Sequence, residues 1–324
     1  MSLLAVLLLI SIAPASATDS FTLRPVSMPL FTRLSRLLER AQHSCLLQRA
    51  DALLDFACIF ELAAAAGSPK TVILPPVGAN AEAKTAGATI RVLSANLLLF
   101  PFPFFFNQQE RIDEFTQCVR ELNPDIILIQ EVWDNRSLAL LIAALPDYYS
   151  IYSSGAGYNY SGLLTLSRFP PKTATIRRFA ISLRHSLEEF IAQKAILQVE
   201  LATGERSLHL INTHLYSAPP ERSYRPNLNQ FKLLTGISGK IAGRFIVGGD
   251  MNLRPEDITT LMPANLQSEG CNLPTAGYPN LSQKLDYIMA GNTSGQTVIS
   301  GRRIDPVRRF SDHNPVFAEI EFRD

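Results

Sequence analysis

A chain of 324 residues is long enough for one large α/β domain with an appendage, and for a substantial buried core. Its 47 % hydrophobic and 18 % charged residues describe an ordinary globular protein leaning slightly apolar. Thirty basic side chains against 29 acidic ones leave a net charge of +1, without the basic excess that neutralising a duplex backbone requires. Composition therefore argues against DNA as the substrate, while local basic patches stay open.

Residues 1–17 (MSLLAVLLLISIAPASA) carry a short apolar run, Leu3 to Ile12, followed by Ala15-Ser16-Ala17, the small-x-small pattern of a signal-peptidase site. The run is too short to span a bilayer, which takes about 20 apolar residues. No Lys or Arg precedes it, which departs from the leader pattern, and a buried helix is the other reading. The expectation is an exported protein, secreted or periplasmic. Residues 18–88 read as a helical extension and a linker. Leu34, Leu37, Leu38, Ala41 and Cys45 recur at helical spacing with Arg33, Arg36 and Arg40 between them, and a Pro/Gly/Ala-rich stretch follows Ala66. The 4 cysteines could pair in an exported protein, but their spacing has no metal-site regularity. Cys118 falls on the apolar face of a predicted helix, which suits core packing.

The domain proper runs from 89 to 324. Ile90 to Ala95 reads as a strand, and Asn107 to Leu122 as a helix with Asn107 and Glu110 placed as a capping box. Asp125 to Gln130 is the continuous apolar run of a doubly buried strand. Further strands are expected at 162–166, 195–201, 208–213, 244–248, 285–288 and 316–321. Alternating strands and helices predict an α/β layered fold.

Polar groups collect at the ends of these strands. Asn96 closes VLSAN, Glu131 closes ILIQE, His214 closes LINTH, and Asp250 and Asn252 close IVGGDMN, while Asp286 lies in KLDYI and Asp312-His313 in FSDHN. Each alone has a bland reading as a cap, a turn or a satisfied core histidine. Together, in a layered α/β fold, such ends can converge on one rim where ligands bind. Hard oxygen donors without cysteine select Mg²⁺ or a similar cation, and the chemistry such a set suits is phosphoester hydrolysis.

The ordered motifs SAN, QE, NTHL, GGDMN, LDYI and SDHNP resemble the endonuclease/exonuclease/phosphatase superfamily over about residues 89 to 323. The superfamily includes pancreatic deoxyribonuclease, apurinic endonucleases, inositol polyphosphate 5-phosphatases and neutral sphingomyelinases. The resemblance implies a four-layer α/β sandwich of two mixed sheets flanked by helices, acting as a Mg²⁺-dependent (or Mn²⁺-dependent) phosphoric diester hydrolase. It implies that Glu131 is the main metal ligand with Asn96 and Asp312 nearby. Asp250 would activate or orient water, Asn252 position the phosphate, His214 and His313 bind the phosphoryl group, and Asp286 orient His313. Whether Asp250 or His313 is the general base stays open.

Between Asn96 and the first helix lies LLLFPFPFFF, where Pro101 and Pro103 forbid a regular helix or central strand. Phe104, Phe105 and Phe106 form a candidate membrane-inserting surface there, or a plug onto the N-terminal helices. EVWDNRSLALLIAALPDYY and SGLLTLSRFP look like neutral sphingomyelinases in particular. Lys194 resembles a substrate- or membrane-contacting lysine that follows an acidic partner by five residues, here Glu189 instead of Asp, and Tyr160 departs from the Asn-Ser-Gly-Leu pattern. The expected substrate is a phospholipid headgroup at a membrane surface, with no protein partner. A secreted DNase-like endonuclease or a phosphoinositide phosphatase is the alternative, and Arg302, Arg303, Arg308 and Arg309 could then track a nucleic-acid backbone.

Overall fold

The computed structural model describes residues 70–78, 89–99, 107–133, 135–154, 159–180, 192–217, 225–277 and 281–323. The proposed leader, the helical reading of 18–66 and the Phe104–Phe106 loop lie outside these residues. In chain order the strands are β1 (Lys70–Leu74), β2 (Thr89–Leu99), β3 (Ile126–Val132), β4 (Tyr149–Ser154), β5 (Asn159–Ser167) and β6 (Pro171–Arg178). They continue as β7 (Ala195–Ala202), β8 (Ser207–His214), β9 (Arg244–Asp250), β10 (Gln267–Ser268), β11 (Asp286–Asn292), β12 (Gln296–Arg303) and β13 (Val316–Arg323). The helices are α1 (Gln108–Leu122), α2 (Asn135–Ala144), α3 (Arg225–Ser238) and α4 (Pro255–Leu261).

The strands form two mixed sheets, ordered β1-β4-β5-β3-β2-β13-β12 and β10-β11-β9-β8-β7-β6. Each sheet holds one parallel pair, β2 with β3 and β8 with β9. A parallel pair needs a crossover, and α1 and α3 supply it. The period-2 alternation of a strand sorts the side chains into layers. Val92, Ile126, Leu128, Leu210, Ile246 and Ile288 meet between the sheets. Their odd-numbered neighbours Leu93, Ile127 and Ile129 pack against Phe115 and Leu138 of α1 and α2, and Ile211, Phe245 and Val247 pack against Phe231 and Ile258 of α3 and α4. Helix, sheet, sheet, helix is the expected four-layer sandwich. Burial of these side chains, at about 25 cal/mol per Å², is its main stabilisation.

The two sheets approach closely at the Gly248-Gly249 pair. A Cβ on Gly248 would stand 2.6 Å from Leu128 Cδ1 in the facing sheet. Gly249 has φ +141°, and a Cβ there would meet the Thr213 carbonyl at 1.9 Å. The glycines before Asp250 are thus a packing requirement of β9.

Several local expectations change. The stretch read as a linker contains β1, an edge strand paired antiparallel with β4; its short apolar run is hidden among Pro, Gly and Ala. β2 runs on through Leu97–Leu99, past the expected strand end, with an irregularity between Asn96 and Leu99 and Leu98 at φ 49°. The capping box does not form. Asn107 takes a left-handed conformation (φ 69°) and makes no side-chain cap, because αL geometry turns its side chain away from the first amides. Cys118 and Cys271 are free and buried, so neither joins a disulfide.

Candidate active site

The topology explains why distant motifs meet. Asn96 and Glu131 stand at the C-terminal end of one parallel pair, His214 and Asp250 at that of the other, where they are directly opposite in register. β11 runs antiparallel to β9 with Asp286 opposite Asp250, so its first residue lies at the same end. β13 runs antiparallel to β2, so Asp312-His313, just before it, also arrives there. Asn96, His214, Asp250 and Asp286 continue the inward alternation of Val92, Leu210, Ile246 and Ile288. Glu131 does not, since the alternation assigns it to the helix side. Its φ of 61° interrupts the pleat and brings the carboxylate to the Asn96 amide. Left-handed backbone at a non-glycine residue costs about 1–2 kcal/mol and collects at functional sites. Asn252 (φ 47°) is a second case.

The Asn96 Nδ2 group donates to Glu131 Oε1 at 2.7 Å and to Asp250 Oδ2 at 3.1 Å. His214 Nε2 lies 3.4 Å from Asp250 Oδ2 and 3.9 Å from Glu131 Oε1. His313 Nε2 stands 3.8 Å from the same Asp250 Oδ2, and His313 Nδ1 pairs with Asp286 Oδ2 at 2.8 Å. The Asn252 backbone N–H donates to Asp250 Oδ1 at 2.9 Å, and its side-chain amide donates to Leu215 O at 3.1 Å. Lys194 is 5 % exposed and its Nζ donates to the same carbonyl at 2.9 Å. That burial takes Lys194 off any membrane-facing surface; its positive charge acts inside the site, on Glu131, His214 and Asp250. Asp312 is half-buried, accepts from the Ser311 hydroxyl at 3.2 Å, and reaches Glu131 only through its field.

Burial dominates the electrostatics. It pushes the Glu131 carboxyl up against the Asn96 hydrogen bond and the positive charges of Lys194 and His313. It pushes Asp250 up as well, against the pull of His313 and with the help of Asp286. His214 is held well below its ordinary value by burial and by the charges of Lys194 and His313, so its imidazole is neutral. Burial alone would lower His313 too, but Asp286 first, then Asp250, outweighs it and raises the imidazolium to about 10. Glu131, His214 and Asp250 offer ligand atoms within 4.8 Å of one another. Two carboxyls that share one amide, both pressed toward protonation, are a donor set that a hard divalent cation would complete. Asp312 is not part of that group.

A family model described as "Endonuclease/Exonuclease/phosphatase family" matches residues 93–313. The chain belongs to the endonuclease/exonuclease/phosphatase family. Members of this family are metal-dependent phosphoric diester hydrolases. A curated relative, 5′-tyrosyl-DNA phosphodiesterase of Caenorhabditis briggsae, is 30 % identical over 174 residues, 51 % of this chain and 46 % of that protein. The chain thus spans about half the length of that relative. Among solved structures, D. rerio TDP2 complexed with a single-strand DNA product aligns with TM-score 0.60 and 16 % identity, covering 72 % of this chain and 100 % of that one. Sphingomyelinase C from Streptomyces griseocarneus aligns with TM-score 0.59 and 16 % identity, covering 71 % and 99 %. Likeness at such identities shows the shared fold.

The family motifs hold the site; other residues hold the motifs. Asn227 on α3 is fully buried and donates its amide to the carbonyls of Tyr216 (2.6 Å), Asn252 (2.8 Å) and Met251 (3.2 Å), tying the segments after β8 and β9 together. Gln130 Nε2 donates to Asn212 Oδ1 at 2.9 Å, joining the two sheets directly beneath the site. Arg111 on α1 donates to the carbonyls of Leu97, Leu98 and Phe310, and its field acts on Glu131 and Asp312. The inward parity of Gln130 and Asn212 was readable from the sequence. Asn227 and Arg111 act on carbonyls brought near only by the tertiary fold.

Proposed function

We propose that the chain is a divalent-cation-dependent phosphodiesterase working from this rim. The carrying observation is that Asn96, paired with Glu131, and His313, paired with Asp286, both reach the same oxygen, Oδ2, of one buried carboxylate, Asp250. Glu131, with Asp250 and His214 beside it, would hold the ion. Bound there, Mg²⁺ or Mn²⁺ would supply charge neutralisation at the phosphoryl and leaving oxygens. His313 is fixed through Nδ1 by Asp286, which leaves Nε2 to donate to a phosphoryl oxygen. Its charged form at neutral pH suits a donor and not a base, so orienting and deprotonating the attacking water falls to Asp250. Asn252 is held by Asp250 and Leu215 with one amide hydrogen left for the phosphate. His214, neutral, would offer its ring nitrogen there without adding charge.

For the substrate we infer a phospholipid headgroup. Of the four arginines flanking the last motif, three are engaged by acids or carbonyls, and the exposed Arg302 lies over the Phe317 ring. Arg303 pairs with Asp305, Arg308 with Glu110 and Glu114, and Arg309 donates to the carbonyls of Gly277, Ser311 and Asp312. That pattern, with the near-zero net charge, does not favour tracking of a long nucleic-acid backbone. Leu273 and Val307 are exposed apolar side chains on the segments that lead to Asp286 and His313, a placement that suits an interface. A second reading, hydrolysis of a phosphodiester at a DNA end, is favoured by the identity to 5′-tyrosyl-DNA phosphodiesterase.

The deciding experiment supplies purified protein with sphingomyelin, phosphatidylcholine or phosphoinositide vesicles, with a 5′-tyrosyl oligonucleotide and with plasmid DNA, in Mg²⁺ and in EDTA. Turnover of vesicle lipid with Mg²⁺ alone supports the lipid reading. Turnover of the oligonucleotide and not of lipid replaces it with the DNA-end reading, and no turnover of any of them removes both.

A further inference from the structure

Segment 275–277 follows β10 and carries no residue of the recognised motifs, yet it contacts both partners of the Asp286–His313 pair. Thr275 is fully buried. Its Oγ1 accepts the backbone N–H of Leu285 and of Asp286, each at 3.1 Å. Its carbonyl accepts the N–H of Asn314, the residue after His313, at 2.7 Å. Next to it, Ala276 forms β-bridges with both Gln283 and His313, and Gly277 N–H donates to Asp312 O at 3.2 Å.

We propose that Thr275 is a positioning residue for the phosphodiester-hydrolysing site, setting the distance and angle between Asp286 Oδ2 and His313 Nδ1. The proposal rests on the phosphodiesterase reading above. The physical case is one of converging tethers. Asp286 begins β11 and His313 precedes β13, and these strands belong to different sheets, so no ladder hydrogen bond relates them. Thr275 bonds the backbone of Asp286 through its side chain and the backbone next to His313 through its main chain. A hydroxyl oxygen can accept two amide hydrogens at once, and the β-branched side chain holds χ1 in few rotamers. Valine has the same shape without the acceptor, and would strand two buried N–H donors. Those amides would then move to find partners, and Asp286 would move with them. A displacement of about 1 Å in an orienting group can cost about 10²-fold in rate.

The test compares Thr275→Val and Thr275→Ser with wild type in Mg²⁺. Two readouts are taken: kcat and KM on whichever phosphodiester the protein turns over, and the His313 imidazole NMR signals of ¹⁵N-histidine-labelled protein, assigned with His313→Gln. The expected result is a kcat lowered on the order of 10–100-fold in Thr275→Val with KM within about twofold. The Nδ1–H signal of His313 shifts or broadens, and both properties return in Thr275→Ser. Should Thr275→Val fail to fold, Thr275→Ala, which removes the hydroxyl without pressing a methyl on the amides, carries the same comparison. Normal kcat in a folded variant lacking the hydroxyl overturns the proposal. So does a loss of activity that only follows the unfolded fraction while the His313 signal stays in place. The NMR readout needs no substrate, so a protein that turns over no phosphodiester sinks the functional reading and still leaves the Thr275 test decided.

Discussion

Asn96 and Glu131 are 35 positions apart in the chain, and the Asn96 amide donates to the Glu131 carboxylate at 2.7 Å while also reaching Asp250 at 3.1 Å. One neutral donor therefore holds together two acids, Asp250 fully buried and Glu131 partly so. The arrangement makes sense when a cation takes up the remaining negative charge, and several outcomes can be stated from it.

Glu131→Gln keeps the shape and removes the charge. The Mg²⁺ concentration for half-maximal activity should rise on the order of 10–100-fold, while turnover at saturating Mg²⁺ falls less. A metal titration of the rate reads both, and an unchanged half-saturation point removes Glu131 as the main ligand.

Asp250→Asn should lower kcat by roughly 10²–10⁴-fold, the contribution of a positioned base. Its melting temperature in EDTA should not fall, because the substitution discharges a buried acid pushed toward protonation by burial. Residual activity near wild type would pass the water-orienting role to another group.

Acidity should set how much the cation stabilises the fold. Glu131 and Asp250 have folded-state pKa values raised above those of the unfolded chain. Their stabilising contribution in the metal-free protein is present below the unfolded values of about 4 and is lost as pH rises through the folded values. A divalent cation takes the place of those protons. The rise in melting temperature caused by Mg²⁺ over EDTA should be larger at pH 8 than at pH 5. An equal rise at both values would place cation binding away from these carboxyls.

Gly249→Ala should destabilise by at least about 3 kcal/mol, since it combines left-handed backbone strain with overlap on the Thr213 carbonyl. Urea unfolding measures it. A loss under 1 kcal/mol would mean that β8 and β9 can separate locally, which the opposed His214 and Asp250 do not permit.

Replacing Phe104, Phe105 and Phe106 with Ser should abolish vesicle binding if the substrate is a bilayer lipid. One inserted ring is worth roughly 2 kcal/mol. Hydrolysis of a small soluble phosphodiester should barely change. Vesicle sedimentation with the triple variant decides it, and undiminished binding removes the loop from the membrane contact.

The sequence by itself determined the layered α/β class, the helix before β3 and the identity of the strand-end residues. Those properties rest on local periodicity and on an ordered set of short motifs. Asp286 and His313 were legible as a pair in the same way, and the structure puts them 2.8 Å apart. The rest depended on where chains far apart in sequence arrive. β1 was hidden as a linker, because an edge strand needs only one partner and little apolar signal. The fate of Lys194 and of the flanking arginines was decided by carbonyls and acids supplied from elsewhere, as with Leu215 for Lys194 and Glu110 for Arg308. Glu131 shows the division most clearly. Alternation along β3 points its side chain at the helices, and only the tertiary contact with Asn96, together with backbone at φ 61°, turns it into the site. Strain of that kind has no signature in composition or spacing, since it persists only where surrounding packing over-determines the backbone.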